Sequence, residues 1–450
     1  MAEIFQIQAK DTLVRINQFD ALNCVQNFNW DAAMNAENLT QLGDANYDAQ
    51  TTEPEVSGSF EVRSTGSLCS MLSRMIYTLD GVTGEFEGPI GTANTALIRE
   101  TDLERAVFDF IEAKKANEVF DRSIVIPRAA LTQFSVSAQA DGTATESFSF
   151  EGDLLEVFRK GKQDVVSLSC VRDTAGTPTT TVIAPVGFDL TTDAGAATAT
   201  QHVVYALDID GRRVKAADLV VTTDAGGDKV ALSAGAIAKG ITVPTGARVV
   251  VYAYKKLPGT VPTISYPTTA RFVKGDKINI WLVSPASTFT VGAEVGKTVK
   301  QLITAGIDLN EIPFTDADLW LRLQSCDLSV DLAREALKEI RKNDRGNSTF
   351  YRAATYPLNC SVDISALERD HTEWAKLQGK TDADVLDLAG FENKEWMVIA
   401  RYYLGDDALQ TVGILNARVD APGARIQAAG RSEVTWRLAG SEFVAQGAAV

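Results

Sequence analysis

The 450-residue chain is short of the residues from which enzymes build reactive sites. It has two histidines, His202 and His371, and five cysteines: Cys24, Cys69, Cys170, Cys326 and Cys360. The cysteines are widely spaced with no C-x-x-C pair, which argues against a zinc site. Scattered thiols in odd number read as buried, unpaired and inert, in a reducing compartment. Neither histidine has motif partners for nucleophilic or acid–base chemistry, and both read as surface residues. The G-x-x-x-x-G-K-[ST] and G-x-S-x-G patterns are missing. The acidic turn D-I-D-G at Asp208 to Gly211 lacks the later ligands of an EF-hand loop and reads as a hairpin turn. No catalytic residue, metal or cofactor is expected.

Positive charge is also scarce. Lys and Arg number 43 against 59 Asp and Glu, a net charge of -16. Tight binding of duplex phosphates needs a basic surface, so the charge balance argues against a DNA-binding enzyme. An acidic surface suits the opposite task, keeping nucleic acid from sticking, because like charges repel over about a Debye length of ~8 Å. No apolar run approaches the roughly 18 residues of a membrane span. The opening MAEIFQIQAKDTLVRI lacks the basic start and apolar stretch of a secretory signal. Synthesis in the cytoplasm and no membrane span are expected. What is present is the composition of a folded protein, 45% hydrophobic and 23% charged, at a length that calls for several cores.

Alternation is the clearest local signal. In Val56 to Arg63, V-S-G-S-F-E-V-R, the residues Val56, Gly58, Phe60 and Val62 share one face and Ser57, Ser59, Glu61 and Arg63 the other. Thr145 to Glu151, T-E-S-F-S-F-E, repeats the pattern with Phe148 and Phe150 inward, after an Ala-Asp-Gly turn. Both read as strands of an antiparallel sheet with one wet face.

The second half overlays the first. A shift of 302 residues pairs Cys24 with Cys326, Phe28 with Val330, Trp30 with Leu332, Phe60 with Val362 and Val62 with Ile364. Nearer the carboxyl ends the shift becomes 288, pairing Gly152 with Gly440, Phe148 with Trp436 and Phe150 with Leu438. Apolar pattern, glycine spacing and order match, although identities do not. The expectation is two diverged copies of one β unit. Between them, Thr, Ala and Gly dominate, interrupted by strand-like runs at Val203 to Asp208 and Ala247 to Tyr254 and by turns at Asp210-Gly211 and Gly226-Gly227. This reads as an inserted β-sandwich, with Pro258, Pro262 and Pro267 in its exit linker. The predicted domains are 1–162, 163–267 and 268–450.

Helical signals are few. Val330 to Asn343 places Leu332, Ala336 and Ile340 at helical spacing in a run of helix formers, which predicts a helix, as does Ala366 to Gln378. Leu103 to Ala113 fits either class; its place opposite Met397 to Tyr403 in the overlay favours a strand.

Two stretches resemble the tail tube proteins of long-tailed bacteriophages. One is W-L-R-L-Q-S-C-D-L-S-V-D-L-A-R-E-A-L with F-Y-R-A-A-T-Y-P-L-N-C-S-V-D-I, within Trp320 to Ile364. The other is S-I-V-I-P-R-A-A-L-T-Q-F-S-V-S-A-Q-A-D-G-T-A-T-E-S-F-S-F-E-G-D, which ends in a Phe-x-Phe-x-Gly strand. The resemblance covers most of residues 1 to 160 and 268 to 445. It implies a mainly β fold: two tandem tail-tube-type β-sandwich or barrel domains with a few short helices, plus the insert, read as immunoglobulin-like. It further implies rings stacked into a hollow tube for DNA in a virion tail. Single-domain relatives form hexameric rings, so a duplicated chain is expected to close with three subunits. The implied partners are other copies of itself, the tail terminator, tape measure and distal tail proteins, and double-stranded DNA passing without specific binding.

Two sets of residues carry site expectations. Glu61 and Asp363 coincide under the 302 shift, each two residues after a serine (Ser59 and Ser361), and are expected to face the lumen; a solvated outer face is the alternative. The long polar segments Leu39 to Pro54 and Ile340 to Pro357 are expected to be loops reaching the adjacent ring, through Asp44, Asn46, Tyr47, Asn347, Phe350 and Tyr351. Competing readings are a capsid decoration or receptor-binding β protein, the inner tube of a bacterial injection machine and, third, a hydrolase.

Overall fold

The computed structural model describes residues 12–16, 20–21, 25–39, 48–64, 68, 72, 75, 78–79, 86–87, 95–98, 107–116, 119–139, 144–158, 162–171, 182–183, 202–209, 212–222, 229–242, 248–256, 278–315, 323–338, 349–355, 358–367, 394–404, 407–425 and 433–447. Among these the protein is mainly β, and one 16-stranded antiparallel sheet dominates it. The amino-terminal half contributes β1 (Thr12–Ile16), β2 (Val25–Leu39), β3 (Asp48–Arg63), β4 (Val107–Ala116), β5 (Val119–Gln139), β6 (Thr145–Gly152) and β7 (Glu156–Phe158). The carboxyl-terminal half has β8 (Ile278–Val283), β9 (Leu323–Asp331), β10 (Arg334–Lys338), β11 (Thr349–Ala354), β12 (Asn359–Leu367), β13 (Trp396–Leu404), β14 (Asp407–Arg425), β15 (Glu433–Gly440) and β16 (Phe443–Gly447). The main path through the sheet runs β8-β13-β14-β15-β12-β9-β5-β6-β3-β2.

Strict alternation makes these strands. β6 reads T-E-S-F-S-F-E-G, and its residues are half-buried and buried in turn. Its apolar face joins a row that crosses both halves, with Phe28, Phe60, Phe148, Phe134, Val330 and Cys360 directly opposed in sequence across six strands. Phe60 and Phe148 stack with ring centroids 4.9 Å apart. Burial of each such ring stabilises the sheet by roughly 1.5–3 kcal/mol. One hydrophobic core holds residues of both halves. A second lies around Trp281, with Leu302 of a short helix (Val299–Thr304) started by a Thr298–Gln301 capping box.

The pairing registers repeat down to their irregularities. In β5–β6 a bulge falls between the pairs Phe150–Leu131 and Ser149–Gln133; in β14–β15 one falls between Leu438–Val419 and Arg437–Ala421. In β4–β5 one separates Phe108–Ala129 from Phe110–Ile126, and in β13–β14 one separates Trp396–Ala417 from Val398–Ile414. In β2–β3 one separates Val25–Val62 from Asn27–Glu61, and in β9–β12 one separates Leu323–Ala366 from Ser325–Ser365. Bulges are specific built features, and these three fall at matching places in the strand arrangement of the two halves. Ile16 opposite Phe110 matches Leu282 opposite Val398, and Glu156 opposite Val125 matches Val444 opposite Gly413.

These registers correct part of the overlay read from the sequence. The 288 shift holds for β4 to β7 against β13 to β16, as from Phe150 to Leu438. For β3 the shift is 304, which matches Phe60 with Ile364 rather than Val362; for β2 it is 298, which matches Phe28 with Cys326 rather than Val330. Both slips are even, and an even slip keeps every side chain on its face. Bulk is also exchanged between opposed partners. Gly58 faces Phe150, where a Cβ would come 2.8 Å from the Asn29 carbonyl, whereas their counterparts Val362 and Leu438 share the volume evenly.

The predicted helix at Val330 to Asn343 is not formed. Val330 and Asp331 finish β9, Arg334–Lys338 is β10, and β10 pairs with β11. Helix propensity is a weak prior against tertiary pairing, and here buried Leu332 donates its N–H to the Thr132 carbonyl at 2.7 Å. The Ala366 to Gln378 candidate begins on β12 and otherwise lies outside the described residues. Leu103 to Ala113 ends in a strand, β4. The segment read as an insert forms separate sheets. One pairs Lys162–Val171, Arg248–Lys256, His202–Ile209 and Arg212–Lys215 in that order; the other joins Val182–Ile183, Lys229–Leu232 and Leu219–Thr222. Ile209 stands opposite Arg212, while Asp210 and Gly211, read as a turn, lie outside the described residues. An ion pair from Arg213 to Glu156 of β7 ties this segment to the large sheet.

Candidate functional site: the polar face and open edges of the sheet

Opposite the aromatic row, the large sheet presents a polar face. One row across it reads Asn27, Glu61, Ser147, Ser135, Ser329, Ser361 and Ala439, and the next reads Arg63, Thr145, Ser137, Asp327, Asp363 and Arg437. Glu61 and Asp363 therefore do share a face, but they are not equivalent positions. By pairing, the counterpart of Glu61 is Ser365, and that of Asp363 is Ser59, whose N–H and hydroxyl both donate to Asn29 Oδ1 at 3.0 and 2.7 Å. Asp363 is exposed and stands directly opposite Asp327, which accepts a bond from the Ser137 hydroxyl. Partial burial raises the Asp363 pKa; Arg437 opposes this, while Asp327 and Asp420 add to it. Asp31, Asp331 and Glu55 are further exposed carboxylates on this face.

Where they are described, the segments expected to be loops are mainly strand. Asp48 to Pro54 belong to β3, with Leu39 opposite Asp48, and Phe350 and Tyr351 lie on β11. Each half thus carries a two-stranded arm beyond the sheet, Ala36–Leu39 with Asp48–Thr51 in the first and β10 with β11 in the second. Asp44, Asn46, Tyr47 and Asn347 lie outside the described residues. So does His371, while His202 is placed on a strand of the insert. Cys326 and Cys360 are buried and unpaired, and burial pushes both thiols up to about 12. Among the described residues, no helix is long and apolar enough to cross a membrane.

One buried group has no counterpart in the overlay's polar positions. Glu146 stands in the apolar row between Val62 and Val136, fully buried. Gln410 of β14 donates one amide to Glu146 Oε1 at 3.1 Å and to the Ser64 hydroxyl at 2.8 Å, a polar bridge between the two halves. Desolvation raises the Glu146 pKa to about 7 against the lowering effect of its bonds to Ser64 and Gln410. Its position in the second half is taken by buried Val434. The sequence held the signal: Glu146 has the parity of Phe148 and Phe150.

The two halves meet where β5 pairs with β9, from Ser325 opposite Gln139 to Asp331 opposite Gln133. β9 is the counterpart of β2, and β5 is the counterpart of β14. Among the described residues, β2 pairs only with β3, and residues 418–425 of β14 pair only with β15. Among the described residues the chain therefore keeps one open edge of each kind that it joins internally.

No family model and no curated protein matches the chain. Solved structures do match. Among them is the SPP1 tail tube, determined by solid-state NMR and cryo-EM, at 13% identity and a TM-score of 0.23 over 38% of this chain and 76% of that one. An overlap of that extent decides neither fold nor role, and the assembly proposed next follows from the sheet's own edges.

Proposed function

We propose that the chain is the structural wall protein of a bacteriophage tail tube. Copies join head to tail into rings of three, each ring carrying six of the repeated units, and rings stack into a hollow tube that conducts double-stranded DNA. The observation that carries this reading is the pair of complementary open edges on a sheet whose halves already join once through the same strand types. Exposed edges are an aggregation hazard that closure removes, and a head-to-tail contact between different edges closes into a ring when its rotation allows. The carboxylate-bearing polar face, with Glu61 and Asp363, lines the lumen, where it repels phosphate and lets DNA slide. The strand arms, including Phe350 and Tyr351, reach the neighbouring ring.

In this reading, residues 1–162 and 268–450 are the two tube domains, and 163–267 is a domain projecting outward. A bulky outer domain would crowd a sheath, which favours a noncontractile tail. Terminator, tape measure and distal tail proteins are the partners at the tube's ends. The chain performs no catalysis.

Negative-stain electron microscopy of the purified chain tests the proposal. Hollow filaments built of stacked rings are expected. Compact trimers that never stack would instead support a capsid decoration or receptor-binding role, and monomers at every concentration would remove the assembly altogether.

A further inference from the structure

We infer the residue-level register of the contact between chains: the outer edge of β2 in one copy pairs antiparallel with residues 421–425 of β14 in the next, with Ala33 opposite Ala421, Asp31 opposite Gly423 and Asn29 opposite Arg425. This rests on the tube reading above and adds what that reading leaves open, namely which edges meet and how they are aligned.

The register follows from the junction already inside the chain. Asp331 faces Gln133, Ser329 faces Ser135 and Asp327 faces Ser137 across β9 and β5. The shared bulges map Asp331 onto Ala33 and Gln133 onto Ala421, and the other two pairs follow in step. Among the described residues no strand lies where the mapping requires one: Asn29, Asp31, Ala32 and Ala33 are exposed, in contrast to buried Val330, the counterpart of Ala32. Charge is complementary in the derived register, because Arg425 falls opposite Asn29 and diagonal to Asp31, a spacing at which cross-strand pairs interact.

A second feature of the same interface is independent of β2. Val444 to Gln446 of β16 are covered by a strand of the first half, Thr95–Ile98, and Ala445 there is buried. The counterpart of Ala445 is Val157 on β7, a 53% exposed apolar residue that no second strand covers among the described residues. Under head-to-tail repetition this uncovered site falls on the same side of the unit as β2.

The contact is selective as well as open. The N–H of Leu332 bonds to the Thr132 carbonyl, so alternation along an antiparallel ladder makes Asp331–Gln133 a non-hydrogen-bonded pair and Val330–Phe134 a hydrogen-bonded one. The position of Phe134 is held in β14 by Pro422, which lacks the donor. Proline on an outward edge discourages indiscriminate strand addition, and the matched partner loses only one bond of its ladder.

Cysteine pairs read the register directly. Non-hydrogen-bonded partners have Cα atoms about 4.5 Å apart, within disulfide reach, while diagonal ones stand near 7–8 Å. Under mild oxidation of assembled protein, an Ala33→Cys chain mixed with an Ala421→Cys chain should give covalent dimers. Neither variant alone should do so, which also controls for native thiols. Asp31→Cys mixed with Ala421→Cys should link at least ~10-fold less. Tubes that form but cross-link preferentially through the shifted pair, or through neither pair, would overturn the register and leave the tube reading standing. Wild-type chains that form no tubes would remove both.

Discussion

Ala32→Pro should abolish assembly while leaving the chain folded. Ala32 stands opposite Val56 within the sheet, and its counterpart Val330 occupies a hydrogen-bonded position toward the neighbouring strand. The Ala32 N–H therefore points to the open edge, and proline there removes no bond within the chain. In the proposed contact it removes the bond to Pro422 and sets one pyrrolidine ring against another. Loss of a single ladder bond costs about 0.5–1.5 kcal/mol, and crowding adds to it, so the concentration needed for assembly should rise at least ~10-fold per contact. A ring needs every contact at once. Sedimentation should show monomer at concentrations where the parent chain forms large species, with thermal unfolding of the monomer nearly unchanged. Assembly equal to the parent's would mean that this edge is not used.

Glu146→Gln should stabilise the protein at alkaline pH and leave it unaltered in acid. The folded chain holds the Glu146 proton up to about pH 7, whereas an ordinary glutamate gives its proton up near 4.5. Between those values the unfolded chain loses a proton that the folded chain keeps, so stability falls as pH rises through this window and is flat above it. The shift corresponds to about 3 kcal/mol as an order of magnitude. Glutamine keeps a carbonyl to accept from Gln410 and carries no charge to desolvate. Urea midpoints at pH 4 and pH 8 should therefore differ less in the variant than in the parent. An unchanged pH profile would show that the carboxyl is solvated or otherwise compensated.

Much of the sheet was legible because alternation is local. β3 and β6 follow directly from V-S-G-S-F-E-V-R and T-E-S-F-S-F-E, and the overlay with the second half favoured a strand at β4. Register was not legible to the residue, since an even slip leaves every apolar position on its face; Glu61 and Asp363 were thereby equated although Ser365 and Ser59 are their counterparts. The helix at Val330 to Asn343 failed because its residues favour a helix only in isolation, and the pairing that overrides them comes from Thr132 and from β11. Glu146 was missed because a carboxylate on an apolar face contradicts the rule by which faces are recognised. The open edges could not be seen at all, since an edge is defined by a partner that the sequence does not contain.

Amide hydrogen exchange, read by mass spectrometry on monomer and on assembled protein, tests the complementary edges most directly. Peptides covering Val25 to Ala33 and residues 419–425 should be weakly protected in the monomer and become strongly protected on assembly. Those covering β5 and β9, whose edges already meet inside the chain, should be protected in both states. Protection gained elsewhere, with these two edges still exchanging freely in the assembled state, would contradict the account.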